Sequence, residues 1–104
     1  MRELAEKIFA TLKIERLVVH QTAYAIAVDA SGSALVDGPF CEKPLITTGA
    51  GDHFNAGFCL GNLLGFDKET ALLMGVGTSG FYVRTGKSPG VAELIKFLKN
   101  WPSK

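Results

Sequence analysis

An α/β fold is predicted for this chain by three observations. Short β-branched or alternating runs, "RLVVH", "AYAIAVD" and "SALVDG", fall together between residues 16 and 38. Patterns with helical spacing stand before and after them. A glycine loop, "TTGAGD" (47–52), lies between the strands and the later helices. The chain has 104 residues, which is one domain or a piece of one.

Each element follows from its spacing. Leu4, Ile8 and Leu12 recur at steps of four, so 2–13 is predicted as a helix with that apolar face. "RLVVH" (16–20) and "AYAIAVD" (23–29) read as strands, and "SALVDG" as a third. "ASGS" (30–33) supplies a turn between the last two, which predicts a hairpin. Pro39 and Pro44 argue against helix over the next stretch. From about 50 to 64 the pattern turns helical, with Phe54, Phe58 and Leu60 to Leu64 apolar. Asp67 is the expected N-cap of the next helix, with Thr70 in its first turn, running through "ALLMGVGTSGFYV". Ser88 followed by Pro89 predicts the start of a last helix, "VAELIKFLKNW", ended by Pro102. Gly57, Gly61 and Gly65 form a small-residue stripe, and Gly75, Gly77 and Gly80 are its expected partner face. A few strands cannot cover the apolar faces of so many helices and also close their own edges. Residues 1–104 are therefore expected to form a single partial domain, or to pair through the sheet edge beside "RLVVH" as a homo-oligomer.

Composition excludes several classes. The formal net charge is +1, so no basic excess points to nucleic acid. The apolar runs are too short to span a bilayer, and no start-proximal signal is seen. Cys41 and Cys59 have no C-x-x-C partner. Cys59 is expected as a small buried hydrophobe, and a cytoplasmic setting is favoured.

The glycine loop carries chemistry. Glycine takes positive φ and lets a backbone approach a ligand closely. The first N–H groups of a helix have no intrahelical partner and carry the positive end of the helix dipole. Gly49-Ala50-Gly51 before a helix is thus a ready anion site. A carboxylate beside it, Asp52, would repel a bound phosphate, yet a phosphotransferase has use for it as a base. An aspartate near a helix start is also a common cap or dipole partner, so "GAGD" alone does not decide.

The longer run "TTGAGDHFNAGF" resembles the second signature of the PfkB-type carbohydrate kinases, the ribokinase-like family. Residues 47–52 match that signature in order, and Phe54, Ala56, Gly57 and Phe58 follow in place. The resemblance spans about 12–98 and covers only the C-terminal part of such a kinase. It implies a ribokinase-like fold in which a short sheet or hairpin packs on several helices. It implies ATP-dependent phosphoryl transfer to a sugar or nucleoside hydroxyl, with Mg2+ carried by the nucleotide. Asp52 would be the general base, and Gly49, Ala50 and Gly51 the anion hole. Thr48 and Asn55 would lie at the nucleotide, Asn55 being equally an ordinary polar helix residue. Thr78 and Ser79 would pack the adenine, or serve as small residues at a helix contact. Arg84 and Lys87 would neutralise phosphate, or suit a helix C-terminus.

The chain departs from the family pattern at several positions. Ile46 stands where an aspartate usually helps bind a monovalent cation, which makes such activation doubtful. Thr22 and Ala25 stand where glycines touch nucleotide phosphates, and would narrow the nucleotide site. His20 replaces a common threonine, as a nucleotide or partner contact or a satisfied strand-end histidine; His53 holds a variable position at the rim. Two readings follow: a kinase fragment, inert without the part that binds substrate, or a non-catalytic nucleotide-binding or protein-interaction module.

Overall fold

A computed structural model gives the structure and describes residues 1–12, 14–21, 23–38 and 41–100. Its order is α1 (Arg2–Thr11), β1 (Arg16–His20), β2 (Tyr24–Asp29), β3 (Gly32–Asp37), α2 (Ala50–Leu63), α3 (Lys68–Thr85) and α4 (Val91–Lys99). The three strands form one antiparallel sheet in the order β1-β2-β3. Val18 faces Ala27, and Ala27 faces Ala34, so β2 is the central strand and β1 and β3 are its edges.

Both faces of β2 are covered. Ala25 and Ala27 point to one side, where Val36, Phe54, Phe58, Ala71, Leu72 and Val76 complete a buried cluster with α2 and α3. Ile26 and Val28 point to the other side, against Ala5 of α1. The result is three layers, with α1 on one face of the sheet and the α2–α3 pair on the other. No described helix is long and apolar enough to cross a membrane.

The face of α1 differs from expectation. Leu4, Ile8 and Leu12 are 52%, 38% and 48% exposed. Ala5, fully buried, and Phe9, half-buried, meet the sheet instead. The reason is steric: Ala5 is small enough to let the helix approach Ile26 and Val28, and Phe9 follows one turn on. Both stripes step by four, so periodicity alone could not choose between them.

The hairpin forms as predicted. Asp29 closes it by accepting from the Ser31 amide at 2.9 Å and the Ser31 hydroxyl at 2.6 Å. Lys68 of α3 reaches the same carboxylate at 3.1 Å. The Ser31 hydroxyl and the Lys68 ammonium hold Asp29 down at about 2. Asp67 caps α3, its carboxylate accepting from the Thr70 amide at 2.7 Å. The last helix begins at Val91, where the run "VAELIKFLKNW" begins, but Ser88 and Pro89 stand outside it. Gly90 is its N-cap, and the Glu93 carboxylate accepts from the Gly90 amide at 2.9 Å. Cys59 is exposed rather than buried, because α2 turns Phe54, Gly57, Phe58 and Gly61 inward and Cys59 falls between them. Pro39 and Pro102 lie outside the described residues.

The glycine stripe is a packing device. A Cβ at Gly57 would sit 2.5 Å from the Met74 carbonyl oxygen, and one at Gly61 would sit 2.9 Å from the Ala71 Cα. From the other helix, a Cβ at Gly75 would strike the Phe54 ring at 2.7 Å. Gly65 is not part of this face; it takes φ +80 in the turn after α2.

Two outcomes follow for stability. Gly57→Ala should cost about 1–3 kcal/mol in urea unfolding, the usual scale of overpacking, because its clash is with backbone. Asp29 has a folded pKa below its ordinary 3.8. Its contribution is therefore present above 3.8 and lost as pH falls toward about 2. Asp29→Asn should flatten that acid limb of the unfolding midpoint.

Candidate active site

The site is built where the glycine loop enters α2. Gly49 is the N-cap, in the left-handed region at φ 94. A side chain there would be strained, and its Cβ would lie 3.0 Å from the Tyr82 hydroxyl. Ala50 spends its amide on the Thr47 carbonyl at 3.1 Å. The amides of Gly51 and Asp52 have no acceptor among the described residues, as first-turn donors normally do not. Nothing lies within 4 Å of a Cβ placed on Gly51, so the space beside that residue is open.

Asp52 sits in the first turn of α2, exposed. Its carboxylate has no hydrogen-bond or ionic partner among the described residues. The capping explanation for this residue would need such a bond. What remains is a free carboxylate beside free N–H donors.

Two clefts flank this turn. One, of about 340 Å³, is walled by His20, Thr47, Ala50, Val76, Ser79 and Val83. The other, of about 330 Å³, holds Asp52, His53, Thr78, Ser88 and Leu94. The first cleft is mostly apolar, with Gly38 and Gly80 leaving room in its walls. His20 ends β1 and stacks on Phe54 with centroids 4.1 Å apart. Burial disfavours its charged form and lowers its pKa below 6.5.

The expected site residues separate into groups. Ala50 and Ser79 share the first cleft, and Asp52 lies on the second. Thr78 is buried, donates to the Met74 carbonyl at 2.7 Å, and packs where Gly57 leaves space. Thr48 is exposed, and its carbonyl accepts from the Tyr82 hydroxyl at 2.6 Å. Asn55 is exposed on α2 and lines neither cleft. Ala25 does not narrow the first cleft; it is fully buried in the core under α2 and α3. Thr22 lies outside the described residues. Arg84 donates to the Gly80 carbonyl at 3.0 Å and lies over the Phe97 ring, as suits a helix C-terminal cation. Sequence reasoning missed Gln21, Cys41 and Thr47 of the first cleft, and Tyr82 and Ser88 behind the loop. Thr47 opens the "TTGAGD" run, and the others lie in separate segments that no motif links.

The sheet packed on a glycine-started helix pair has the fold of solved ribokinase-family structures. The phosphofructokinase-2 of Escherichia coli, solved with substrates and products, matches with a TM-score of 0.80 at 24% identity, over 95% of this chain and 33% of that one. The nucleoside kinase of Methanocaldococcus jannaschii matches with a TM-score of 0.74 at 23% identity, over 83% of this chain and 30% of that one. The nucleoside kinase of Burkholderia thailandensis, solved with inosine, gives 0.66 at 24% identity, over 85% and 31%. These likenesses show the fold.

The family model for prokaryotic ketohexokinase matches residues 1–101, and the chain belongs to that family. A ketohexokinase from Haloferax volcanii is 37% identical over 93 residues, which are 89% of this chain and 25% of that protein. The chain thus spans about a quarter of the length of the curated relative it matches.

The half-buried imidazole at the first cleft gives the fold a contribution that depends on pH. Because the folded pKa of His20 is below 6.5, the unfolded chain takes up the proton first. The contribution of His20 is full above 6.5 and declines as pH falls below it. His20→Phe keeps a ring against Phe54 and removes the proton site. Its unfolding midpoint should fall less than wild type between pH 7.5 and pH 5, on the order of the His titration range.

Proposed function

We propose that this chain is the nucleotide-facing, base-bearing part of a carbohydrate kinase that transfers the γ-phosphoryl group of ATP to a sugar hydroxyl. The observation that carries the reading is the unpartnered Asp52 carboxylate beside the free Gly51 and Asp52 N–H groups. The name of the Haloferax relative suggests a ketohexose as the acceptor.

In this reading the nucleotide base occupies the first cleft, against Val76 and Val83, with Ser79 and His20 at its polar edges. Its phosphates run toward the start of α2. Asp52 accepts the proton of the attacking hydroxyl as the new O–P bond forms. The bond between phosphorus and the ADP oxygen breaks on the opposite side. The Gly51 and Asp52 amides, with the α2 dipole behind them, stabilise the charge spread over the phosphoryl oxygens. Magnesium would be carried by the nucleotide rather than by this chain's side chains, and would supply charge neutralisation at the phosphates. The Ile46 side chain supplies no oxygen for a monovalent cation. A cytoplasmic setting, where ATP is held, suits this chemistry.

Calorimetric titration of the chain with Mg-ADP tests the reading. Saturable binding is expected. Gly51→Val should abolish it, since the open space at Gly51 lets the fold accept valine while its methyls fill the approach to the donors. Asp52→Asn should leave binding near wild type and lower any ATP-dependent sugar phosphorylation by roughly 10²–10⁴-fold, the scale of a lost general base. A folded chain that does not bind Mg-ADP would overturn the nucleotide assignment.

A further inference from the structure

We propose that His53 is a positioning residue for the phosphate-binding loop. Its imidazole clamps the Gly49 carbonyl to Ser88 and so sets the direction of the amides at the start of α2. This inference deepens the phosphotransferase reading and rests on it.

The geometry is specific. His53 Nδ1 lies 2.8 Å from the Gly49 carbonyl oxygen, and Nε2 lies 2.7 Å from the Ser88 hydroxyl. A carbonyl oxygen only accepts, so Nδ1 carries the proton in this bond. In the neutral ring Nε2 then accepts from the Ser88 hydroxyl. The imidazole also stacks on Tyr82, with centroids 3.8 Å apart and planes 13° from parallel. Tyr82 in turn donates to the Thr48 carbonyl at 2.6 Å. Two consecutive carbonyls, of Thr48 and Gly49, are therefore held by two stacked rings, one from α2 and one from α3. Upstream, the Leu45 amide ties the same loop to the Val83 carbonyl at 2.7 Å.

The clamp answers a need the loop creates. A glycine at positive φ has more backbone freedom than any other residue. The Gly49 carbonyl shares a rigid peptide plane with the Ala50 N–H. A rotation of that plane re-aims the first turn, including the donors of Gly51 and Asp52. Preorganised donors contribute to catalysis because they do not reorganise during the reaction. The imidazole is not needed for the helix itself. The backbone amide of residue 53 bonds Gly49 at 3.1 Å whatever its side chain, and alanine is the better helix former.

The test uses the 104-residue chain and two readouts. The first is the backbone order parameter of residues 49–52, measured by nitrogen-15 relaxation without ligand. The second is Mg-ADP affinity by calorimetry. In His53→Ala the order parameters should fall from about 0.85 toward 0.6, the range separating rigid from flexible backbone. Those of Leu72 and Val76 in the core should stay unchanged. Mg-ADP affinity should weaken roughly three- to tenfold, the effect of one lost hydrogen bond. His53→Asn places an amide donor near Nδ1 and should recover most of both. Ser88→Ala, at an exposed loop position, carries the same test if His53→Ala does not fold.

Unchanged order at 49–52 in these variants, with wild-type binding intact, overturns the clamp alone. Equal losses in His53→Ala and His53→Asn also overturn it, because a donor at Nδ1 would then be irrelevant. A wild-type chain that ignores Mg-ADP overturns the phosphotransferase reading, and the positioning role falls with it.

Discussion

The close approach of α2 to α3 is the constraint on which the rest depends. Backbone meets backbone where Gly57 faces Met74 and Gly61 faces Ala71, with no room for a Cβ at either glycine. Such contact forfeits side-chain burial at these positions and gains dispersion along the whole seam. It also fixes the depth of Phe54, whose ring lies in the space left by Gly75 and is almost wholly buried. Phe54 is one turn from the helix start. The depth of the seam therefore sets where Asp52 and the loop before it stand. Gly77 repeats the device toward α4, receiving Leu94 and Leu98. A larger residue in this seam would shift the site as well as the core.

The elements that were legible in the sequence are those whose signal is local. The three strands, the hairpin, the Asp67 cap and the α2 boundaries depend on residues a few positions apart, and the structure has them within a residue or two. The packing role of Gly57 and Gly61 was legible for the same reason, since recurrence at four marks a helix face; of the expected partner glycines only Gly75 meets α2, while Gly77 faces α4 and Gly80 lines the first cleft. The face of α1 was not. Leu4-Ile8-Leu12 outweighs Ala5-Phe9 in hydrophobicity, but the sheet selects by fit, and alanine permits the nearer approach. Nor was the cap of α4: Ser88 and Pro89 marked the start, whereas Gly90 is the cap and the Glu93 carboxylate accepts from its amide.

At the site, the motif located the loop and the carboxylate but not what supports them. "GAGD" is contiguous, so its chemistry can be read in a line. Tyr82, Ser88 and His20 reach the same region from α3, from the loop before α4 and from the end of β1. No spacing links them, because the folded chain rather than the sequence sets their distances. The expected nucleotide set divides for the same reason. Thr78 and Ser79 are neighbours in sequence, yet successive helix positions point about 100° apart. One therefore belongs to the α2 seam and the other to the first cleft.

The fold leaves one group at the helix start unspent. Gly49 supplies the turn, Ala50 closes it onto Thr47, and His53 ties it to Ser88. Phe54 fills the core. Each has a structural occupation that explains its presence without reference to a ligand. Asp52 has none beyond the dipole of α2, which favours any acidic residue there by only a fraction of a kcal/mol when exposed. An exposed carboxylate beside two open N–H donors has the opposite sign from the donors it neighbours. A pure anion-binding loop does not call for that pairing, and the α2 dipole favours it only weakly. A reaction that must remove a proton and stabilise an anion within a few ångströms calls for both.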